Sequence, residues 1–415
     1  MSAEMMFARS GMGYIGAWDH HGGVQMSLDH LRRRSGELHG EVVIESAAVR
    51  AGRGKLHRAA FNVSSTTSRE RLAKTLDGRA PGAHDIPWKH LIEEFCTAVL
   101  EAERTGAPIV RVGSLPPEPD GGFLVDPLLP VGKTTIIFAA GGTGKSYLAV
   151  LVSAAVQSGT NILGWKVRRS NVLYLDWETD AFEVDRRLKR VGRGLGLDDI
   201  AIDYRACAGP IDEMAESLSG YVTDNGIGLI VVDSAGMAAG GGRDNGPAED
   251  SAIRMFGALR HLGATVLLID HVTGEDVKSG KAVEKPYGSI YKVNLARSVY
   301  ELKGTPVEGQ DAHMALFHRK VNGGALVAPM GIRVSHGDDA VTFAVEAIQD
   351  AGLVTGLSVA TRIRRLLAAG SMAVADIADS LDLGEGTVRV TLNRGAQSGS
   401  FTKLPDGTWG NAATP

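Results

Sequence analysis

The most constraining feature of the chain is an apolar run that ends in a glycine-rich turn. Thr134 to Ala140 (TTIIFAA) read as a strand that runs into Gly141-Gly142-Thr143-Gly144-Lys145-Ser146-Tyr147, and a helical pattern, KSYLAVLVSAAVQSG, takes over from Lys145. A buried strand that enters a helix through such a turn wraps successive backbone N–H groups around one point at the positive end of the helix. That point is a phosphate site, with residues 140–147 as its lining. Lys145 supplies a point charge for β- and γ-phosphate oxygens, and Ser146 supplies a hydroxyl oxygen for Mg²⁺. The turn opens on Ala139 rather than glycine, which is tolerated where φ is negative.

Three more apolar runs rich in β-branched residues share this texture: NVLYLDWE (171–178), GLIVVDSA (228–235) and ATVLLIDHV (264–272). Strands buried on both faces of a parallel sheet look like this, and the helical stretches between them argue a doubly wound α/β domain with a mostly parallel sheet. Each run ends in a group suited to phosphate chemistry. Asp233 stands where a Mg²⁺-orienting carboxylate belongs. Glu178 is the first choice for polarising the water that attacks ATP, with Asp176 second and Asp180 third. His271 closes the fourth run, placed to contact the γ-phosphate and report its loss to the residues that follow.

Organisation along the 415 residues places the sheet domain at 131–350, preceded by a Pro-rich linker at 114–130 that holds five of the fifteen prolines. Residues 1–113 read as an accessory α+β domain, with strands at 36–47 and 54–65 and helices near 67–77 and 86–104. Beyond 296 the pattern turns antiparallel. The 53 glycines exceed the usual share of about 7% and belong to working turns. Two cysteines exclude a disulfide framework, and with no apolar run of membrane-spanning length and no leader-like N-terminal pattern the expected location is the cytoplasm. A net charge of −4 gives no global nucleic-acid signature.

The segments AAGGTGKS (139–146), VLYLDWE (172–178), IVVDS (230–234), LIDH (268–271), GSIYKVNLARS (288–298) and HRKVNGG (318–324) resemble the RecA-type P-loop ATPases. More narrowly, they are similar to the RepA-type hexameric replicative helicases of plasmids and phages. The resemblance covers about 131–345. It implies a homo-hexameric ring that hydrolyses ATP with Mg²⁺ on DNA, with Glu178 as catalytic carboxylate and His271 as sensor. It also implies a basic residue reaching into the neighbouring subunit's site, for which Lys320 is the choice and Arg297 the rival. The related helicases carry a second basic residue two positions on, where this chain has Asn322. Residues 236–250 and 273–289 would face the ring channel, with Lys278, Lys281 and Lys285 contacting single-stranded DNA.

The last stretch, 358–412, resembles a winged helix-turn-helix. Gly386 to Arg394 would be its recognition helix, offering Thr387, Arg389 and Arg394 to duplex DNA, and 401–409 its wing. Six basic against five acidic side chains over 358–415 make a weak electrostatic footprint, so a protein-contact role stays open. At the N-terminus, Asp19, His20, His21 and His30 lack the spacing of a metal site, and Arg32-Arg33-Arg34 reads as a solvated basic turn. The expected function is a DNA-dependent ATPase, most simply a ring helicase. A recombinase-like or loader ATPase and an ATP-gated DNA-binding regulator are the alternatives.

Overall fold

A computed structural model describes residues 5–10, 13–19, 23–47, 55–79, 85–106, 109–114, 122–240, 247–272, 290–304, 311–348, 351–354 and 357–412. Contacts divide the chain into two compact units. One is Met1–Gly121 with Ile211–Asn225 and Gly257–Gly263, and the other is Gly122–Pro210, Gly226–Phe256 and Ala264–Pro415.

In the first unit, strands β1 (Met6–Ser10), β2 (Gly13–Trp18), β3 (Val24–Arg34), β4 (Glu37–Ser46) and β5 (Lys55–Asn62) form an antiparallel meander in chain order. The alternation of buried Val24, Met26 and Leu28 along β3 gives that strand one inward face. Helix α1 (Thr66–Asp77) starts at Ser65, whose hydroxyl accepts from Ser68 N–H. Helix α2 (Trp88–Thr105) buries Leu91, Ile92, Phe95 and Val99, which pack in one core with Tyr14, Trp18, Met26 and Ile44. Each such side chain contributes about 1.5–3 kcal/mol. Arg32, Arg33 and Arg34 are not a turn: they pair with His39, Leu38 and Glu37, and the reversal falls on Ser35 and Gly36, both at positive φ. His20 and His21 lie outside the described residues, and no group of three or more metal-binding side chains occurs among those described.

The second unit is built on β6 (Phe123–Asp126), β7 (Leu129–Pro130), β8 (Thr134–Ala139), α3 (Lys145–Ser158), β9 (Lys166–Val167), β10 (Asn171–Asp176), α4 (Ala181–Gly194) and β11 (Asp203–Ala206). Helix α5 (Ile211–Asp224), which groups with the first unit, precedes β12 (Ile227–Asp233), α6 (Ala235–Ala238), α7 (Ala248–His261), whose end from Gly257 also groups with the first unit, and β13 (Thr265–His271). Then come α8 (Ile290–Leu295), β14 (Ser298–Gly304), β15 (Asp311–Val321), β16 (Met330–His336) and β17 (Val341–Glu346).

One nine-stranded sheet runs β11-β10-β12-β13-β8-β14-β15-β16-β17. It is mixed. The first six strands are parallel, and β15, β16 and β17 join antiparallel; β14 is the junction, parallel to β8 and antiparallel to β15, so antiparallel pairing starts at Ser298. All six residues of β8 and six of the seven in β12 and in β13 are buried, as central parallel strands require.

Beyond α9 (Ala351–Val354), helices α10 (Val359–Leu366), α11 (Val374–Leu381) and α12 (Glu385–Gln397) and the hairpin β18 (Phe401–Lys403)–β19 (Trp409–Asn411) enclose their own small core. It contains Ile363, Ile377, Val388, Leu392, Phe401 and Trp409. Among the described residues no helix is long and apolar enough to cross a membrane.

Candidate nucleotide site

The carboxyl ends of β10, β12, β13 and β8 lie side by side, and the register aligns them. Asp176 pairs with Asp233, Asp233 with Ile269, and His271 with Ala139. A parallel sheet therefore delivers residues from four distant parts of the sequence to one edge, where ligands of open α/β sheets bind.

At the end of β8 the turn reaches α3 through Gly142 and Gly144, at φ 75° and 90°. A side chain at either position would be strained, which is why the two glycines are there. Ala139 and Ala140 have negative φ, so alanine is tolerated at the opening of the turn. The Lys145 ammonium lies inside the loop, donating to Ala139 O (3.2 Å) and Ala140 O (2.8 Å). Burial lowers its pKa, opposed by the charges of Asp233, Glu178 and Asp270. Phosphate oxygens entering the loop would replace the two carbonyls with charged partners.

Asp233 is 5% exposed. Its Oδ2 accepts from Ser146 Oγ (3.0 Å) and from Tyr174 Oη (2.8 Å), while Oδ1 is buried without a hydrogen-bond partner. Burial raises the pKa of this carboxyl, and the two hydroxyl donors work in the opposite direction. An orphaned carboxylate oxygen beside a serine hydroxyl offers the hard oxygen donors that Mg²⁺ takes. Ser146 and Asp233 would hold the ion, directly or through its water, and the ion would neutralise charge on the β- and γ-phosphates.

Glu178 meets His271: Oε1 lies 2.9 Å from Nε2, and both side chains are 37% exposed. The His271 contact, with help from the Ser234 hydroxyl and Lys145, holds the Glu178 carboxyl down to about 2, against the pull of desolvation. It is an ionised carboxylate at neutral pH. Its rivals serve the fold. Asp176 accepts from Glu178 N–H, Thr179 N–H, Thr179 Oγ1 and Tyr204 Oη, at 2.6–3.1 Å. Asp180 caps α4 by accepting from Glu183 N–H (3.0 Å).

Three partnerships on this side of the sheet are invisible in the sequence pattern; the Lys320 contacts and Arg297, whose N–H donates to Thr134 O, lie toward the amino end of β8, away from the phosphate turn. Lys292 Nζ donates to Asp270 Oδ2 (2.9 Å) in a buried ion pair, and Asp270 Oδ1 accepts from His271 N–H (2.9 Å). Lys320 Nζ donates to the carbonyls of Val293, Asn294 and Ala296 (2.6–3.1 Å), closing the C-terminal end of α8. Arg319 pairs with Glu301. Arg297 follows α8 with an exposed side chain. Tyr147 stands edge-on to His336 (5.1 Å), with the Arg187 guanidinium 5.7 Å from its ring centre.

Lys278, Lys281 and Lys285 fall outside the described residues. Thr387, Arg389 and Arg394 are exposed on α12, where Arg389 is paired with Glu385 (2.7 Å).

A family model described as an AAA domain matches residues 103–276, the stretch that carries all four strand ends. Among solved structures, a KaiC-like protein from the hyperthermophilic archaeon Pyrococcus horikoshii OT3 aligns at 17% identity. The alignment covers 58% of this chain and 100% of that one, with a TM-score of 0.38. No curated protein matches. The chain carries an AAA-type P-loop ATPase domain, a module of the kind that binds and hydrolyses ATP with Mg²⁺.

Proposed function

We propose that the chain is a DNA-dependent ATPase, a RepA-like ring helicase in which ATP turnover drives movement along single-stranded DNA. The observation that carries the reading is the contact between Glu178 and His271. The carboxylate suited to orient the attacking water is held by a histidine at the end of β13, and two residues later the chain enters 273–289, with Lys278, Lys281 and Lys285. A change at the γ-phosphate thus has a short covalent route to a lysine-rich segment suited to a DNA backbone.

In this reading protomers assemble into a homo-oligomeric ring, a hexamer by resemblance, and each site is completed by a cation from its neighbour. Arg297 suits that role better than Lys320, because the Lys320 ammonium already serves three carbonyls of its own chain. The helices and hairpin of 358–412 act as a winged helix, with Thr387, Arg389 and Arg394 toward DNA.

The test is ATP hydrolysis with and without single-stranded DNA, together with strand displacement on a forked duplex, for the wild type and Lys145→Ala. ATP-dependent displacement that vanishes in Lys145→Ala supports the helicase. DNA-stimulated hydrolysis without displacement indicates a loader or recombinase-like ATPase. Sequence-specific duplex binding at raised salt indicates the regulator. Turnover indifferent to any DNA overturns the reading.

A further inference from the structure

The structure assigns to Tyr174 the task of orienting Asp233 toward the cation, a positioning role one residue removed from the nucleotide. The assignment rests on the ATP–Mg²⁺ reading of the site and adds to it a residue whose motif position marks only a buried strand.

Tyr174 lies on β10 opposite Val231, two residues before Asp176 on the same face, and is 1% exposed. Its surroundings are those of a core aromatic: it belongs to the main apolar cluster and stacks on Tyr204, with centroids 6.5 Å apart and planes at 18°. Phenylalanine would fill that space without the cost of burying a hydroxyl, about 1–3 kcal/mol when unpaired. The hydroxyl is there because it has a partner, Asp233 Oδ2 at 2.8 Å.

A carboxylate turns readily about its last torsion, and its two oxygens are interchangeable unless neighbours distinguish them. Here they are distinguished. Oδ2 takes both donors, Tyr174 Oη and Ser146 Oγ, and Oδ1 takes none. Ser146 is itself called on by the ion, so its hold on the carboxylate is shared. Tyr174, buried in the sheet and without a competing claim on its hydroxyl, is the fixed point. A buried donor behind a metal-orienting carboxylate is usually worth 10- to 100-fold in metal affinity.

The experiment titrates Mg²⁺ against binding of a fluorescent ATP analogue to the full chain. It compares the wild type with Tyr174→Phe and Tyr204→Phe, starting each titration in EDTA. The neighbouring Tyr204 donates to Asp176, not Asp233, so its variant controls for loss of a stacked phenol (Tyr204 Oη to Asp176 Oδ2, 3.1 Å). For Tyr174→Phe the expectation is wild-type binding in EDTA and a Mg²⁺ half-saturation raised about 10-fold, with Tyr204→Phe unchanged. Wild-type Mg²⁺ dependence in Tyr174→Phe overturns the assignment while leaving the site reading intact. So does an equal shift in Tyr204→Phe, or loss of binding already in EDTA, either of which makes the phenol structural. A wild-type protein that binds the analogue equally well with Mg²⁺ and with EDTA sinks the site reading itself.

Discussion

Two acidic residues two positions apart, Asp176 and Glu178, differ in what holds them. Asp176 is 2% exposed and accepts four hydrogen bonds that fold the turn after β10. Glu178 is part-exposed, ionised and held from one side by His271. Their variants should differ in kind. Glu178→Gln is expected to bind ATP as the wild type does and to hydrolyse it ~10²-fold more slowly or worse, the usual effect of losing a general base. Asp176→Ala strands buried donors and should cost about 3 kcal/mol or more of stability. Nucleotide binding, single-turnover hydrolysis and urea unfolding on the two proteins check the contrast; an inactive but fully stable Asp176→Ala would reverse the assignment.

At the scale of elements, the central strands were legible because burial on both faces leaves an unbroken apolar run; β10, β12 and β13 each end in a polar group that has no place in a core, and β8 ends in the glycine-rich turn. Strands β1 to β3 were missed although β3 carries a period-two signal in Val24, Met26 and Leu28; the charged residues after Leu28 obscured it. The contacts of Lys320 were hidden for a deeper reason. Nothing in HRKVNGG reveals that the amine folds back onto carbonyls 24–27 residues earlier. Tyr174 likewise reads as one more apolar strand residue until its partner is known.

The β14–β15 pair also holds a buried histidine with a defined protonation state. His318 Nδ1 accepts from Val327 N–H (3.0 Å), so the ring proton sits on Nε2 and is donated to Ser298 Oγ (2.8 Å), with the ring stacked on Tyr300 at 4.2 Å. Burial lowers its pKa below the ordinary 6.5. The unfolded chain therefore binds the proton more readily. The histidine's contribution is whole above about pH 6.5 and is lost as pH falls through the window beneath it. His318→Phe keeps the stack but should cost about 1–3 kcal/mol at pH 7.5 by stranding a donor, and the deficit should narrow at pH 5.5. Urea unfolding at the two pH values decides; a deficit that widens in acid contradicts the neutral assignment. In the same region, Lys320→Met should speed amide exchange across 290–296 while leaving ATP binding unchanged, as expected of a lost helix cap.

For the whole molecule, the nucleotide site is one-sided within a single chain: Lys145, Ser146, Asp233 and Glu178 all come from one sheet edge. Transition-state charge on the γ-phosphate calls for a further cation, worth ~10³-fold or more in rate when a neighbour supplies it. Arg297, exposed directly after α8, is the residue we assign to it. Arg297→Ala should then bind ATP and assemble normally but hydrolyse ~10³-fold more slowly. Lys145→Ala should be inactive through loss of the loop's charge. Mixing the two inactive proteins in equal amounts places an intact loop against an intact Arg297 at about one interface in four if protomers exchange at random around a cyclic assembly. Turnover should recover toward that fraction of the wild-type rate, and dilution below the assembly concentration should abolish it. Mixtures that stay inactive with Arg297→Ala but recover with Lys320→Met would move the role back to Lys320. An Arg297→Ala protein with full turnover as a monomer would show that each site is complete within its own chain.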